Sequence, residues 1–87
     1  MYDLLIVDDE EKIRQVIREY AEFNGFTVSE AEDGMQAVNL CRENDYDLIV
    51  MDVMMPKLDG FSTCKEIKKI KAIPVIMLYS PSRRREV

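Results

Sequence analysis

The stretch LLIVDDE (residues 4–10) decides the fold, together with its counterpart LIVMDVMMP (residues 48–56). Each begins as an unbroken apolar run, which is typical of a parallel strand that is covered on both faces. Each run ends on aspartate, with Asp8 and Asp9 after the first and Asp52 after the second. Because burial penalises a charged carboxylate, acids at the ends of buried strands are costly unless something stabilises them. A divalent cation held among the three carboxylates would supply that stabilisation.

Helical and strand-like patterns alternate along the rest of the chain. The helices are predicted to begin at Asp9 or Glu10, at Asp33–Gly34 and at Asp59–Gly60. The order strand, helix, strand, helix, strand, helix, strand indicates an α/β fold with a doubly wound parallel sheet and right-handed crossovers. With the strand order 2-1-3-4, the first and third strands are neighbours. Sites in such sheets lie beyond the carboxyl ends of the strands, so we expect the three aspartates to converge there.

The composition limits the functions that this chain of 87 residues can have. Its length predicts one small domain, and its net charge of -5 argues against nucleic-acid binding by that domain, which needs a basic face. No apolar run is long enough to span a bilayer and no signal peptide follows Met1, so we expect no membrane contact and a cytoplasmic location. Histidine is absent, which excludes imidazole catalysis. Cys41 and Cys64 lack metal-ligand spacing, and we predict that both are reduced core residues.

Five short motifs are specific in combination, although none of them is specific alone. Together they resemble the receiver domain of two-component response regulators, and the resemblance is dense from residue 2 to about residue 78. The motifs are VDDE (residues 7–10), AEDG (31–34), DLIVMDVMMP (47–56), LDG (58–60) and IPVIML (73–78).

The resemblance implies a flavodoxin-like fold and a role in two-component signal transduction. Asp52 would be the phosphoacceptor, which takes a phosphoryl group from the phosphohistidine of a sensor histidine kinase. The chain would then be a signalling domain and not an enzyme, and it would regulate transcription only through a longer parent protein. On the first helix, Ile13, Arg14 and Ile17 would be candidate contacts for the kinase. The implied site residues are the Mg²⁺ ligands Asp8, Asp9, Asp52 and Met54 (through its backbone carbonyl) and the loop-shaping residues Pro56 and Gly60.

The acidic residues also have simpler interpretations. Asp8 and Asp9 can cap the first helix, and Asp52 can cap the loop that follows it, because carboxylates accept hydrogen bonds from unpaired amides. The four lysines of the third helix are by default a solvated face that complements the helix dipole. A phosphohydrolase with an Asp nucleophile would need a second acid two residues later, whereas Asp52 is followed by Val53 and Met54. A dinucleotide enzyme would need a G-x-G-x-x-G motif, which the sequence lacks.

The resemblance ends at Tyr79. A receiver normally has a small hydroxyl residue at this position, and Ser80 follows one residue too late for the alternation of a strand. The family's last helix, strand and helix, including a lysine that binds the phosphoryl group, have no counterpart in residues 80–87, which contain three consecutive arginines. We therefore expect a partial receiver domain over residues 1–79 and a basic, disordered tail over residues 80–87. A truncation, a shifted reading frame or a natural short variant would each produce this ending.

Such an ending would leave the fourth strand as an unpaired sheet edge and one face of the sheet only half covered. We expect Leu5, Val7 and Val50 to approach water on that face, and the chain to form homo-oligomers through the strand edge or the sheet face. Phosphorylation would be impaired because the lysine and the hydroxyl are missing. The alternative function is a non-catalytic interaction fragment that associates with itself.

Overall fold

Seven elements alternate along residues 1–79, the part of the chain that the computed structural model describes. The predicted tail over residues 80–87 lies outside the described residues. None of the helices in the described part is long and apolar enough to cross a membrane. The elements are β1 (Asp3–Val7), α1 (Glu11–Phe23), β2 (Thr27–Ala31), α2 (Gly34–Glu43), β3 (Leu48–Asp52), α3 (Gly60–Ile70) and β4 (Val75–Leu78).

The four strands form one parallel sheet in the order β2-β1-β3-β4. The doubly wound α/β fold with strand order 2-1-3-4 is therefore confirmed. In the register of the sheet, Val7 lies beside Met51 and Asp52 lies beside Leu78. The residues that follow β1 and the last residue of β3 consequently share the carboxyl edge of the sheet, where sites of this fold are found.

Short polar motifs fix the ends of the helices. The side chains of Asp33 and Asp59 each accept a hydrogen bond, at 2.8 Å, from the backbone amide three residues later. Both Asp-Gly pairs are therefore helix starts, as predicted. Helix α1 is followed by Gly25, whose φ of 90° lies in the left-handed region that glycine adopts without steric cost.

Helices α2 and α3 cover one face of the sheet. On this face the strand side chains of Leu5, Ile49 and Met51 are 0% exposed, and Val7 is 1% exposed. Cys41 on α2 belongs to the same cluster, and burial raises the pKa of its thiol. This face holds the larger core of the described domain.

Among the three helices of residues 1–79, only α1 covers the other face. Leu4 and Ile6 are buried there, and partly buried strand residues such as Val50 pack against them. Farther from α1, Ile76 on β4 is 50% exposed. Within residues 1–79, β4 pairs only with β3, so it is the outer strand on this side of the described sheet.

Leu5 and Val7 do not lie on the half-covered face, and this part of the sequence prediction is wrong. In the register Leu5 lies beside Ile49, whereas Val50 lies beside Ile6. Because side chains alternate along a strand, Leu5 and Val50 point to opposite faces of the sheet. An apolar run without alternation does not show which of its residues take which face.

Two of the lysines around the end of α3 hold neighbouring loops. The Lys68 ammonium donates a hydrogen bond to the Ile73 carbonyl at 2.6 Å, and the Lys71 ammonium donates to the Asn44 carbonyl at 2.9 Å. Lys71 also pairs with Asp45 at 2.7 Å. The interpretation of these lysines as only a solvated face is therefore wrong for Lys68 and Lys71.

Candidate functional site

Three carboxylates meet at the carboxyl edge of the sheet. Asp8 follows β1 and is 3% exposed, Asp52 ends β3 and is 1% exposed, and Asp9 is exposed to solvent. One oxygen from each of them lies within 4.8 Å of the others. Their convergence follows from the pairing of β1 with β3, which was predicted from the two apolar runs. We call this group the acidic pocket.

Asp8 is fixed through its backbone and its side chain. Its amide donates a hydrogen bond to the Ala31 carbonyl at 3.1 Å, which extends the pairing of β1 with β2. Its carboxylate accepts a hydrogen bond from the Glu10 amide at 2.8 Å. Glu10 is the residue that precedes α1, and its own side chain makes no capping bond. Asp8 thus organises the turn before the helix and at the same time contributes an oxygen to the acidic pocket.

Burial and the convergence of these carboxylates raise the pKa of Asp52. Burial first, and then the charge of Asp8, raise the pKa of Asp52 to about 6, with a further contribution from Glu10. Hydrogen bonds from the amides of Met54, at 3.3 Å, and Val53 oppose this shift because they stabilise the charged form. A cation bound among the carboxylates would also stabilise the charged form of Asp52, and it would lower the pKa more strongly than these hydrogen bonds do.

The donor set fits a hard divalent cation. Mg²⁺ takes oxygen ligands, is commonly bound by one or two carboxylates, and fills its remaining positions with water and phosphate oxygens. Of the predicted ligands, the acidic pocket brings together Asp8, Asp9 and Asp52. Met54 lies two residues beyond Asp52, with its side chain 38% exposed. Its backbone amide faces the Asp52 carboxylate, whereas the ligand role of its carbonyl stays a prediction.

Glycine is required at position 60, where α3 begins next to the end of β3. A Cβ atom built on Gly60 would collide with the Asp52 carbonyl oxygen and would lie 2.9 Å from the Val53 Cα atom. The Gly60 amide donates a hydrogen bond to the Val53 carbonyl at 3.0 Å. In the intervening loop, the Pro56 carbonyl accepts from the Leu58 amide at 2.8 Å. Gly60 and Pro56 both lie in or next to the loop beside Asp52, and close packing restricts position 60 to glycine, whereas a loop-shaping role for Pro56 stays a prediction.

Arg14 is a residue whose position the sequence did not indicate. Its guanidinium donates to the Asp8 carbonyl at 2.8 Å and to the Glu30 carboxylate at 2.7 Å.

Ile17, another suggested kinase contact, packs into the core beneath α1. Contact with a kinase stays a prediction for Ile13, Arg14 and Ile17. The large apolar side chains that α1 does expose are Val16, Tyr20 and Phe23.

Comparison with known proteins identifies the family. The sequence profile of the response regulator receiver domain matches residues 4–86, and the chain therefore belongs to this family. Receiver domains of response regulators work with histidine kinases in two-component systems. The assignment agrees with the fold and with the acidic pocket described above.

Two curated relatives are transcriptional regulatory proteins. ResD of Bacillus subtilis is 45% identical over 75 residues, which are 86% of this chain and 31% of ResD. SrrA of Staphylococcus aureus is 40% identical over 76 residues, which are 87% of this chain and 32% of SrrA. The chain thus spans about a third of the length of the curated relatives that it matches.

Two solved structures show the same fold. The response regulator TrrA of Thermotoga maritima, in complex with Mg²⁺-BeF, superposes with a TM-score of 0.87 at 35% identity, covering 98% of this chain and 75% of TrrA. A receiver domain protein of Clostridium thermocellum superposes with a TM-score of 0.86 at 34% identity, covering 91% of this chain and 65% of that protein.

Proposed function

We propose that this chain accepts a phosphoryl group on Asp52 from the phosphohistidine of a sensor histidine kinase, with Mg²⁺ held by Asp8, Asp9 and Asp52. The observation that carries the proposal is the approach of three carboxylate oxygens to within 4.8 Å at the edge of a sheet with this topology. The similarity to a receiver that was solved with Mg²⁺-BeF supports the choice of cation. The chain is then a phosphoacceptor that is modified itself, and not an enzyme that turns over a substrate.

The reaction is a transfer from nitrogen to oxygen. An Asp52 carboxylate oxygen forms the new bond to phosphorus, the phosphorus–nitrogen bond breaks, and the released imidazole of the kinase takes a proton from water. The 87 residues contain no histidine, so the donor histidine lies outside this sequence. When bound, Mg²⁺ supplies positive charge that balances the phosphoryl oxygens and the carboxylates.

The protein's own residues position the nucleophile. The amides of Met54 and Val53 hold the Asp52 carboxylate, and Asp8 is fixed by the Glu10 amide. The attacking form of Asp52 is the deprotonated one, and its pKa of about 6 makes that form the major one at neutral pH. The Met54 carbonyl would be a further Mg²⁺ ligand, and catalysis would come mainly from positioning.

The direct test is phosphorylation by a small acyl phosphate. The full 87-residue chain is incubated with acetyl phosphate and Mg²⁺, and the intact mass is measured. We expect slow and incomplete addition of one phosphoryl group, its loss in Asp52→Asn, and its loss when EDTA removes the metal. Stoichiometric labelling would refute the predicted impairment. Asp47→Asn is the matched control, since Asp47 precedes the opposite end of β3 and bonds to the Asp3 amide. Absence of labelling and of any Mg²⁺-dependent stabilisation would overturn the proposal.

We propose that Tyr79 contributes to slow phosphorylation of Asp52. The resemblance implies a small hydroxyl residue after β4, but here a ring that is 55% exposed follows the strand. A threonine at this position would restore a short hydroxyl next to Leu78, the residue that pairs with Asp52. We therefore expect Tyr79→Thr to increase the rate of labelling by acetyl phosphate. An unchanged or lower rate would show that Tyr79 is not the cause of any impairment.

A second candidate function is self-association without phosphorylation. The observation that favours it is Ile76, which is 50% exposed on the outer strand of the described sheet. Edge strands offer unpaired backbone groups, and an exposed apolar side chain there favours pairing with another copy. Light scattering over a range of concentrations tests it. Dimers that Ile76→Lys dissociates, with stability insensitive to Mg²⁺, would favour this function, whereas a compact monomer at high concentration would exclude it.

A further inference from the structure

We propose that Arg14 is a positioning residue for the acidic pocket, because its guanidinium joins the backbone of the β1–α1 turn to Glu30 on β2. The inference deepens the proposed function and rests on it. Arg14 touches Asp8 only at the carbonyl oxygen, so the role assigned to it is to hold the turn that carries Asp8 and Asp9, and not to bind metal or phosphate.

The contacts of Arg14 have the geometry of a clamp. Its Nη1 atom donates to the Asp8 carbonyl oxygen at 2.8 Å, and its Nε atom donates to Glu30 Oε1 at 2.7 Å. The side chain is only 14% exposed. A planar guanidinium that uses two of its nitrogens on acceptors from different elements fixes the distance between those elements.

Glu30, the second partner of Arg14, is itself held in place by its strand and by another arginine. It lies within β2, where its Cα atom pairs with that of Ile6 on β1. Its second carboxylate oxygen accepts from the Arg18 Nε atom at 2.6 Å, so one carboxylate bridges two arginines of α1. The hydrogen bond from Arg14 is the largest influence on Glu30 and keeps the pKa of its carboxyl below the ordinary value. Glu30 therefore stays charged at neutral pH.

The turn transmits this restraint to the metal ligands. The peptide group between Asp8 and Asp9 is planar, so fixing the Asp8 carbonyl also fixes the direction in which Asp9 leaves the turn. Asp8 itself is held by its amide, its carboxylate and its carbonyl, through bonds to Ala31, Glu10 and Arg14 respectively. Of these three bonds, only the one from Arg14 has a side-chain atom of another residue as its partner. It is therefore the one that mutation can remove cleanly.

Arg18 provides a matched control. It belongs to the same helix, bonds to the same carboxylate at a similar distance, and has no hydrogen bond to Asp8. Arg14→Met and Arg18→Met each remove one guanidinium from Glu30 and keep most of the apolar stem. The other bonds of Arg18 go to Glu22 and to the Val28 carbonyl, neither of which belongs to the acidic pocket. A difference in Mg²⁺ affinity between the two variants therefore reports the bond from Arg14 to the Asp8 carbonyl and not the loss of an ion pair with Glu30.

The experiment is calorimetric titration of the full chain with Mg²⁺, accompanied by thermal melts in EDTA. Because partners that orient metal ligands strongly affect metal affinity, we expect Arg14→Met to raise the Kd for Mg²⁺ about 10-fold and Arg18→Met to change it less than about 2-fold. The two variants should lower the melting temperature similarly in EDTA. Arg14→Lys should rescue affinity only in part, since a single ammonium does not reproduce the two-nitrogen fork.

The outcomes separate the two proposals. If the wild-type chain binds no Mg²⁺ and is not labelled by acetyl phosphate, the proposed function fails and the clamp fails with it. If the wild-type chain binds Mg²⁺ and Arg14→Met binds it as tightly as Arg18→Met, the clamp alone is overturned. Should Arg14→Met melt without cooperativity, Arg14→Lys against Arg18→Lys gives the same comparison, and equal Mg²⁺ affinities there would overturn the clamp.

Discussion

The two faces of the sheet are built by the same strands but are covered to different extents. On the face packed by α2 and α3, the strand residues Leu5, Val7, Ile49 and Met51 are at most 1% exposed. On the opposite face, which among the described helices only α1 packs, Leu4 and Ile6 are at most 3% exposed, but Ile76 on the outer strand is 50% exposed. Since burial of apolar area contributes about 25 cal/mol per Å², the face with two helices supplies most of the stability of the described domain.

The acidic pocket is attached to these two sides of the domain by different kinds of contact. Gly60 joins it to α3 through close backbone contacts with Asp52 and Val53. Arg14 and Glu30 join it to α1 and β2 through charged hydrogen bonds. Backbone atoms in a tightly packed region have little freedom to move, whereas long side chains can rearrange. The geometry of the site therefore depends on both sides of the domain, through backbone packing on the side of α3 and through side-chain hydrogen bonds on the side of α1.

The largest expected effect compares a fully covered isoleucine on one face with a half-exposed isoleucine on the outer strand of the other face. Ile49→Ala removes a side chain that is 0% exposed and should lower the free energy of unfolding by about 3–4 kcal/mol. Ile76→Ala removes a half-exposed side chain from the outer strand of the described sheet and should cost less than about 1 kcal/mol. Urea denaturation followed by circular dichroism measures both. Equal losses would contradict the comparison and would show that Ile76 is covered in solution.

The next largest effect concerns the charge of Asp52, at the carboxyl edge of the sheet. The pKa of Asp52, about 6 in the folded chain, is above the value of 3.8 for a free aspartate. The folded state therefore holds the proton more tightly than the unfolded state. The resulting stabilisation is present below about pH 4 and is lost as the pH rises through about 6. Asp52→Asn should thus raise the free energy of unfolding in EDTA by about 2–3 kcal/mol at about pH 7.5, and hardly at all at about pH 4.

Glu30 is the control for this titration because its shift has the opposite sign. Its pKa lies below 4.5, so its stabilisation is present above that value and is lost as the pH falls. Glu30→Gln should therefore destabilise the chain at neutral pH, where Asp52→Asn stabilises it. A gain from Asp52→Asn that is the same at both pH values would contradict the assigned pKa.

A smaller effect compares close packing with open space at two glycines. Gly60→Ala forces a methyl group against the backbone of β3 and should cost about 2 kcal/mol. Gly25 has no atom within 4 Å of its added Cβ, but its φ is 90°, so Gly25→Ala should cost about 1 kcal/mol from backbone conformation alone. Only Gly60→Ala should also slow the labelling of Asp52 by acetyl phosphate. Equal labelling rates in the two variants would show that the packing of α3 against the end of β3 does not affect the reactivity of Asp52.

The smallest expected effect lies in the loop between Asp52 and α3. Lys57 has a φ of 68°, in the left-handed region that a lysine adopts only at a cost. Lys57→Gly should therefore stabilise the chain by about 0.5–1 kcal/mol relative to Lys57→Ala, which has the same loss of charge but keeps the Cβ atom. The ion pair of Lys57 with Asp33 is long, at 3.7 Å, and its lysine side chain is 71% exposed, so its loss should matter little. Thermal melts of the two variants make the comparison, and a more stable alanine variant would rule out backbone strain at this position.

The acidic pocket shows which parts of the site can be predicted from local sequence and which cannot. The spacing of Asp8 and Asp9 after one apolar run, and of Asp52 at the end of another, was enough to predict that they converge. The prediction succeeds because parallel strands present their carboxyl ends at a common edge. The clamp of Arg14 on Asp8 and Glu30 could not be predicted in the same way, since its partners are 6 and 16 residues away and belong to different elements.

The sequence by itself determined the alternation of elements and the helix starts at Asp33 and Asp59, because hydrophobic period and capping are local properties of the chain. Only the tertiary structure decided that Leu5 faces α2 and α3 while Val50 faces α1. The physical reason is that a uniformly apolar strand buries either of its faces equally well, so the choice depends on which helices pack against it. The direction of the pKa shift of Asp52 follows from an acid at the end of a buried strand, but its extent depends on how the folded chain packs Asp8 and Glu10 around it.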